Sequence, residues 1–559
     1  MAQALRGALS RMANDGGLTQ SLHRASDNPR TLLAALPVVV ILGPLLPGLV
    51  WAMGPTVDAA VWQALWFDAQ WPQALHATLV SAALGPLLAC LLAFGLASLT
   101  YPGPLWTALQ RRLPLLLSMP HAAFAVGIFF LIAPSGYLAR AIGYFLAWGQ
   151  PPDWVSVQDP NGLALALALA FKESWFLLWT LTAVLGEQAV ARQMVMARSL
   201  GYSRAQAWAL VLWPQLLPRL GWPLAAVFAY ALSVVDMAMI LGPSTPPTLA
   251  VLTWQWLTDP DPRLQAQGGA AALVLLALFA LGAALVRALW HAWRRWRAYP
   301  AGQRVPAINR RWRWVLWAGV VGMGYAVIAL LALWSLAQGW FFPALWPTTL
   351  SLQWWAGADW APFWTTLWLA GISSVLCVPV VLLWLEWGPQ RLNAVLYLPL
   401  IIPAMPLVAA QYAALLHAQL DVTAAGLVWS HLLWVLPYML LTLVGPYRAF
   451  DARLLRSARA LGLTRWQACW RVKWPLLQRP ILAAWAVGFA VSVAQYLPTL
   501  FAGGGRFATV TTEAVALSAG GNRSVLAVQA LLQIALPLAA FGLATLWPRW
   551  ASRNRLGLR

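Results

Sequence analysis

The sequence predicts an all-α polytopic membrane protein of about twelve transmembrane helices, arranged as two parallel six-helix repeats. Three observations predict this class. Hydrophobic residues make up 61% of the 559 residues and charged residues only 9%, which is too few charges for the surface of a soluble protein of this size. Apolar runs of near-bilayer length recur along the chain. One polar segment occurs twice, at residues 197–214 and 458–475.

The duplicated segment reads ARSLGYSRAQAWALVLWP in the first copy and ARALGLTRWQACWRVKWP in the second. The copies are 261 residues apart, and 10 of the 18 positions are identical without a gap. Such self-similarity at a fixed spacing indicates an internal repeat. Because an even number of predicted helices separates the copies, both halves have the same orientation in the membrane.

Each copy predicts a helix–turn–helix elbow. In the first copy, Gly201 can take a positive φ at no steric cost and so ends a helix. Ser203 and Gln206 have the spacing of a capping box, which starts a second helix. We expect Pro214 to close that helix, since proline cannot extend the hydrogen-bond ladder. An ordinary duplicated basic loop is the alternative, but it does not explain why capping and spacing repeat together. The second copy has the same features at Gly462, Thr464, Gln467 and Pro475.

The apolar runs place the helices and divide the chain into five parts. The predicted spans are 32–53, 77–100, 113–133, 162–185, 219–242 and 267–288, followed by 315–337, 363–386, 393–416, 425–446, 480–501 and 524–547. The predicted domains are an arm at 1–31, a first repeat at 32–288, a basic linker at 289–314, a second repeat at 315–547 and a tail at 548–559. Thr78 and Thr366 align the second helix of one half with that of the other. These two threonines are farther apart in sequence than the two elbow segments are. The loop 134–160 of the first half explains the difference, and we interpret this loop either as a docking surface or as an insertion.

The distribution of basic residues predicts the orientation. With the amino terminus inside, 31 of the 36 lysines and arginines fall in segments on that same side. The positive-inside rule therefore places both termini and both elbows on the cytoplasmic side of a bacterial inner membrane. The net charge of +20 is then explained by the basic residues of the cytoplasmic segments, and no nucleic-acid partner is predicted. The first 30 residues lack an apolar core, so no cleavable signal peptide is predicted.

Cysteine and lysine usage excludes some kinds of chemistry. Cys90, Cys377 and Cys469 are far apart and have neither the spacing of a metal site nor that of a disulfide framework, so no metal or cofactor is predicted. A phosphate-binding P-loop needs a lysine directly after a glycine. The two lysines, Lys172 and Lys473, do not follow glycines. The chain is therefore not an ATPase itself, and its energy comes from a partner or from an ion gradient.

Polar residues within the apolar spans are the candidates for a translocation path, because charge in hydrocarbon is costly. Lys172 and Glu173 lie in the fourth predicted helix, Asp236 lies deep in the fifth, and Gln495 lies near the position of Asp236 in the repeat. The alternative is structural: a buried Lys172–Asp236 pair between neighbouring helices, or a helix–helix hydrogen bond.

Prolines interrupt the third and ninth predicted helices at corresponding places. Paired interruptions of this kind predict a gate or site between repeats, and the alternative is a fixed kink. The prolines concerned are Pro114, Pro120, Pro399, Pro403 and Pro406. His121 and His431, each alone on an apolar helix, are interpreted as packing and hydrogen-bonding groups.

Each elbow resembles the EAA loop of the permease subunits of binding-protein-dependent ABC importers. That loop has the pattern Glu-Ala-Ala, three residues, Gly, and a hydrophobic-x-x-Pro ending, and both copies keep the spacing from the glycine to the proline. The fusion of two units resembles the ferric-iron, thiamine and sulfate types of this family, and the run at 492–517 resembles such fused permeases. The family's glutamate falls on Val195 in the first copy and on Arg456 in the second.

The resemblance implies a type I ABC importer transmembrane fold without a catalytic residue of its own. Each loop would seat in a groove of a cytoplasmic ABC ATP-binding subunit, present as a dimer, and a periplasmic substrate-binding protein would deliver the substrate. The implied coupling residues are Ala197, Arg198, Leu200, Gly201, Val211 and Pro214 in the first elbow, and Ala458, Arg459, Leu461, Gly462, Val472 and Pro475 in the second.

Two alternatives come from other functional classes. A secondary transporter could use Asp236 and Glu173 to carry protons along an ion gradient. An integral-membrane enzyme is less supported, because the sequence has no HExxH motif, no GxSxG motif and no clustered carboxylates. The substrate stays open at this stage among thiamine, ferric iron, a polyamine and an oxyanion.

Overall fold

The computed structural model of the protein describes residues 29–186, 188–296 and 311–551. Most of the predicted arm and of the basic linker lie outside the described residues. The described ranges are almost entirely helical, as the sequence predicts, and their only ladder joins β1 (Ala337–Gln338) to the antiparallel β2 (Thr349–Leu350).

Within the described residues, the first half contains fifteen α-helices, several of them short. They are α1 Pro29–Leu42, α2 Leu45–Met53, α3 Ala59–Phe67, α4 Trp71–Thr100, α5 Pro104–Ser118, α6 His121–Ile132, α7 Tyr137–Leu146, α8 Leu163–Leu185, α9 Gln188–Ser199, α10 Arg204–Gln206, α11 Trp213–Leu216, α12 Gly221–Ser233, α13 Asp236–Leu241, α14 Leu249–Leu257 and α15 Pro262–Trp296.

The second half continues the series after residue 311. Its helices are α16 Trp312–Leu336, α17 Gln353–Ala356, α18 Ala361–Trp387, α19 Asn393–Leu396, α20 Ala404–Ala418, α21 Ala424–Arg448, α22 Ala452–Ala460, α23 Arg465–Ala468, α24 Trp474–Leu476, α25 Gln478–Ala494, α26 Leu497–Gly503, α27 Val510–Ser518 and α28 Arg523–Ala551.

The number of membrane spans agrees with the sequence. Within the described ranges, nine helical stretches are individually long and apolar enough to cross a bilayer. Three further spans are pairs of helices bent by 64°, 101° and 77° at a short break, which gives up to twelve. The bent pairs overlap the fifth, ninth and eleventh predicted spans. The prediction of a polytopic all-α membrane protein is therefore confirmed.

The fifth and eleventh predicted spans are not continuous helices. Val234 is extended, with ψ 128°, and Gln495 is extended, with ψ 120°, so each span breaks into a long and a short helix. Asp236 consequently begins α13, and its predicted place deep in an unbroken helix is wrong. Each break is followed by a nine-residue helix, α14 or α27, that hydropathy did not predict, since a bilayer span needs about 20 apolar residues.

Matched threonines hold these two short helices in equivalent places. The hydroxyl oxygen of Thr78 on α4 accepts a hydrogen bond from the backbone N–H of Leu249, at 2.8 Å. The hydroxyl oxygen of Thr366 on α18 accepts one from the N–H of Val510, at 2.9 Å. Each bond satisfies an N–H of the first helical turn, which has no partner within its own helix. The two threonines that align the halves in the sequence thus make the same contact in both.

The first predicted span of each half packs on the third predicted span of the other half. α2 lies against α20, and α16 lies against α6. Small residues allow the close approach: a Cβ at Gly48 would collide with the carbonyl of Ala410, and one at Gly127 would collide with Val327. Gly127 and Ala410 are at equivalent repeat positions. The two halves are therefore interlocked by a reciprocal exchange of helices.

The paired breaks are present at Pro120 and Pro403, whereas Pro114 and Pro406 lie inside α-helices and Pro399 lies inside a short 3₁₀ helix. The chain leaves the helical path at Met119 and Pro120, between α5 and α6, and at Ile402 and Pro403, before α20. Pro114 lies inside α5 and does not interrupt it, so that part of the prediction is wrong. Proline is tolerated there because local adjustment of the helix re-satisfies the freed carbonyl.

The loop 134–160 is partly helical and is held in place by one arginine. Arg140 on α7 is buried, and its guanidinium donates to backbone carbonyls at distances of 2.9 to 3.4 Å. These acceptors are Ser135, Trp340, Phe341 and Ala344. The loop of the first half is thereby joined to the β1–β2 region of the second.

Candidate functional site

The first elbow, residues 197–214, turns through a glycine as predicted. Gly201 has a φ of +83°. Its N–H donates to the carbonyl of Arg198 at 3.0 Å, and the N–H of Tyr202 donates to the carbonyl of Ala197 at 3.2 Å. These two bonds form a Schellman motif, which ends α9 and satisfies its last carbonyls. The capping box of Ser203 is also present and starts α10.

The second elbow, residues 458–475, repeats this geometry. Gly462 has a φ of +89° and donates to Arg459 at 3.0 Å, while the N–H of Leu463 donates to Ala458 at 3.3 Å. The capping box of Thr464 starts α23. Sequence identity between the copies thus corresponds to the same turn, built from the same backbone bonds.

The prolines do not close the second helix of either elbow, which corrects the prediction. π-helical turns at Ala207–Leu212 and Cys469–Lys473 precede the two prolines. The helical path then continues through Pro214 into α11 and through Pro475 into α24. A π-turn shifts the bonding from i−4 to i−5, so a proline placed just after it interrupts no regular ladder.

Equivalent arginines anchor the two elbows to the second predicted span of their own half, which is α4 in the first half and α18 in the second. In the first elbow, Arg204 donates to the backbone carbonyl of Ser98 at 2.8 Å and to that of Tyr101. Tyr101 in turn donates its hydroxyl hydrogen to the carbonyl of Leu185 at 2.8 Å. The first elbow is therefore held through neutral backbone acceptors.

The second elbow is held through a carboxylate. Arg465, the equivalent of Arg204, lies 3.1 Å from a carboxylate oxygen of Glu386, near the end of α18. The other oxygen of Glu386 accepts from Lys473 at 2.7 Å and from the hydroxyl of Tyr447 at 2.9 Å. We call these four residues the Glu386 cluster. The side chains of Glu386 and Lys473 are only 6% and 10% exposed, so the pair is largely buried.

The predicted coupling residues divide into buried and exposed groups. Ala197 and Ala458 are buried, and each supplies the carbonyl that the Schellman motif uses. Leu200 is 66% exposed and Leu461 is 86% exposed, at the tips of the turns. The remaining predicted residues are exposed or partly buried along the same surfaces: Arg198, Gly201, Val211 and Pro214, and Arg459, Gly462, Val472 and Pro475.

A polar cluster lies between the halves, at the breaks of the membrane helices. We define it as His121, Glu173, Tyr230 and Asp236. The imidazole Nε2 of His121 lies 3.1 Å from Glu173, and the hydroxyl of Tyr230 donates to Asp236 at 3.3 Å. The rings of His121 and Tyr230 are 4.5 Å apart, which joins the two pairs. Both carboxylates are buried.

The second half also reaches this cluster. The backbone N–H of Ala404 on α20 donates to the hydroxyl of Ser233 at 3.1 Å, and α27 packs against α6 and α13. Gln495 lies two residues before the repeat equivalent of Asp236, at the α25–α26 break, and is half-buried. The structure thus brings Glu173 and Asp236 into one cluster, joined through His121 and Tyr230 and bordered by helices of the second half.

The predicted Lys172–Asp236 pair does not form. The ammonium group of Lys172 donates to the backbone carbonyls of Met119 and Leu116, at the end of α5. Within the described ranges, no ion pair joins it to Asp236. The carbonyls at a helix end lack partners within their own helix and carry partial negative charge, so they attract the lysine. Lys172 therefore braces the α5–α6 break.

The lone histidines separate into two roles. His431 is fully buried and bonds the hydroxyls of Ser492 at 2.7 Å and Thr499 at 3.0 Å, across the α25–α26 break. This contact confirms its interpretation as a packing and hydrogen-bonding group. His121 instead faces Glu173 and is partly exposed.

Comparison with known proteins supplies the family. The chain is 42% identical, over 522 residues, to the inner membrane ABC transporter permease protein YnjC of Escherichia coli, covering 93% of this chain and 97% of that protein. The chain belongs to the ABC transporter permeases. It is also 22% identical, over 162 residues, to the spermidine/putrescine transport system permease protein PotC of Haemophilus influenzae, covering 29% of this chain and 63% of that protein. No family model matches the chain.

Family membership and the described helices together define the kind of molecule. This permease is a multi-pass inner-membrane protein, because its full-length relative is an inner-membrane permease and its helices can span a bilayer up to twelve times. The prediction of the family from the paired elbows and the fused halves is confirmed. The alternative of an integral-membrane enzyme finds no support in these relatives.

Sequence reasoning missed the Glu386 cluster of this permease, although a signal was available. Glu386 is the last residue of the predicted apolar span 363–386, in a chain with only 16 acidic residues. An ionisable residue in such a span is by default a functional hypothesis. Its repeat equivalent, Ser98, is neutral, so the duplication gave no second copy of the signal.

Proposed function

We propose that this permease is the membrane subunit of an ABC importer, and that its two elbows couple the translocation path to a separate ATP-binding subunit. The pair of elbows carries the proposal: the same Schellman turn occurs at matching ends of the two halves, with an exposed leucine at each tip. Docking against a partner would remove these two apolar side chains from water, which is favourable. The chain itself supplies the path and contributes no catalytic centre.

The anchoring of each elbow supports a mechanical role. Arg204 and Arg465 attach the elbows to α4 and α18, helices that run the length of each half. A push on either elbow would therefore move a whole half and not a loose loop. Because the halves exchange their first helices, such movement would be reciprocal. Alternating access would follow as the halves rock about the polar cluster.

The partners and the orientation follow from the same proposal. Both termini and both elbows lie in the cytoplasm, where a dimer of ABC ATP-binding subunits takes one elbow in each groove. A periplasmic substrate-binding protein delivers substrate to the opposite face. The functional units are the repeats at 32–288 and 315–547, joined by the basic linker.

The polar cluster is the proposed translocation path. Two buried carboxylates, an imidazole and the hydroxyl of Tyr230 meet there, at broken helices that can rearrange. This chemistry suits a cation, such as a polyamine or ferric iron, better than an oxyanion, because two carboxylates would repel an anionic substrate. The similarity to a permease named for spermidine and putrescine points the same way.

Replacing the exposed leucines tests the coupling role. Leu200→Asp and Leu461→Asp are each expected to weaken co-purification with the ATP-binding subunit by at least tenfold, since burying one leucine contributes about 1.5–3 kcal/mol. Leu200→Met and Leu461→Met are the matched controls and should bind normally. Unchanged association in both aspartate variants would refute the proposal.

Neutralising the carboxylates of the polar cluster tests the path. Glu173→Gln and Asp236→Asn are expected to reduce uptake at least tenfold, while association with the ATP-binding subunit stays unchanged. Lys172→Met is the contrast: it leaves the carbonyls of Met119 and Leu116 unpaired, so it should lower the thermal unfolding temperature as well. Full uptake in both carboxylate variants would assign the cluster a structural role only.

An ion-gradient-driven transporter is the second candidate, favoured by the buried Glu173 and Asp236. Such a protein would move substrate without ATP. It would give the exposed leucines of the elbows no interface to form, whereas in an importer they would contact the ATP-binding subunit.

A further inference from the structure

A cavity lies beside the second elbow, between it and the end of α18. Its volume is about 190 Å³. The residues that line it are Glu386, Leu455, Arg456, Arg459, Arg465 and Ala468, together with the first residue of α22. Three of its side chains are guanidinium groups, and one is a carboxylate. A cavity of this volume has room for the end of a single side chain.

The charges of this cavity do not balance. Glu386 already binds both Arg465 and Lys473, so its negative charge is compensated within the Glu386 cluster. The side chains of Arg456 and Arg459 are exposed, and neither guanidinium forms a hydrogen bond or ion pair in the part of the chain that the structure describes. The cavity therefore presents two uncompensated guanidinium groups.

The first elbow lacks this feature. The positions equivalent to Arg456 and Glu386 are Val195 and Ser98, both neutral. The cavity beside the first elbow, of about 390 Å³, is lined by uncharged residues such as Trp106 and Gln110. Arg198 of the first elbow is the equivalent of Arg459, so Arg456 is the arginine that distinguishes the second elbow, although the backbone turns are the same.

We infer that the cavity beside the second elbow receives an acidic side chain of the ATP-binding subunit. Two arginines on adjacent turns of α22 can bind one carboxylate with several charge-assisted hydrogen bonds. Position 456 holds an arginine where the EAA pattern has a glutamate, so the charge presented to the partner is reversed. The two elbows would then dock differently, the first through apolar contact and the second through apolar contact plus an ion pair. This inference rests on the proposed coupling function.

Reversing both charges tests the inference. The double variant Arg456→Glu, Arg459→Glu is expected to weaken association of the purified full-length permease with its ATP-binding subunit by roughly tenfold or more, because like charges would face each other at the interface. Salt should weaken the wild-type association but strengthen that of the variant, because in the variant it screens a repulsion. Arg453→Glu is the matched control: it lies on the same helix, outside the cavity, and should bind normally. Exchanging an acidic residue of the partner for arginine should restore binding to the double variant.

Each other outcome has a definite meaning. If the double variant binds normally while Leu461→Asp does not, the inference fails and the coupling function stands. If neither variant loses binding, the coupling function fails as well. If the double variant binds the ATP-binding subunit normally but loses thermal stabilisation by phosphatidylglycerol vesicles, the cavity is a lipid headgroup site and the inference is overturned. Unfolding temperatures equal to wild type would show that the variants are folded.

Discussion

Replacing Gly201 or Gly462 by proline is expected to abolish ATP-driven uptake while the protein still inserts into the membrane. Both glycines have a positive φ, +83° and +89°, whereas proline fixes φ near −65°. Proline also removes the N–H that donates to Arg198 or Arg459. The Schellman turn would be lost in either elbow, and the exposed leucine beside it would move away from its partner. Uptake into proteoliposomes that contain the ATP-binding subunit is the measurement.

Graded substitutions at the same glycines provide the control. Asparagine tolerates the left-handed region, so Gly201→Asn and Gly462→Asn should retain most uptake. Alanine there costs roughly 1–2 kcal/mol and should give an intermediate result. Membrane insertion is checked by the amount of protein in purified membranes. If the proline variants transport as well as the asparagine variants, the turn has no part in coupling.

Replacing Glu386 by alanine is expected to destabilise the second elbow by about 3–5 kcal/mol, which is the usual cost of leaving a buried charge without its partner. Lys473 would remain largely buried beside the ring of Tyr447, and Arg465 would lose its anchor. The elbow should then open locally, which limited proteolysis near residue 462 would detect. ATP hydrolysis should proceed with less uptake per ATP, because the push would no longer reach α18.

The repeat offers a matched control for this variant. Ser98 is the equivalent of Glu386, but the group of Ser98 that Arg204 binds is the backbone carbonyl. The hydroxyl of Ser98 instead donates to the carbonyl of Phe94 in its own helix. Ser98→Ala should therefore be nearly neutral. The double variant Glu386→Met, Lys473→Met removes both buried charges and should recover stability without restoring the anchor of Arg465. Equal protease resistance of Glu386→Ala and wild type would exclude the anchoring role.

Features with a local cause could be predicted from the sequence. A single glycine decides the turn at Gly201, and a spacing of three residues decides the capping box at Ser203. Hydropathy finds each span because a bilayer needs a minimum apolar length. The alignment of Thr78 with Thr366 anticipated a shared role, since identical residues at matched positions meet the same neighbours.

Features that depend on distant partners could not be predicted. The sequence placed Lys172 near Asp236, but the free carbonyls at the end of α5 bind it instead. It did not show that Glu386 compensates Lys473, because the two are 87 residues apart. The break at Val234 has no proline beside it, whereas Pro498, in the first turn of α26, was an unused signal for the break at Gln495. Pro214 misled the prediction because the π-turn that accommodates it has no sequence rule.

The most direct test of the account is uptake into proteoliposomes that hold the full-length permease, its ATP-binding subunit and its binding protein. We expect uptake with ATP and no ion gradient, and none with a proton gradient and no ATP. In the same vesicles, Leu200→Asp combined with Leu461→Asp should abolish uptake. Uptake that persists on a proton gradient after ATP is removed would contradict the claim that two elbows deliver the energy of ATP to this membrane path.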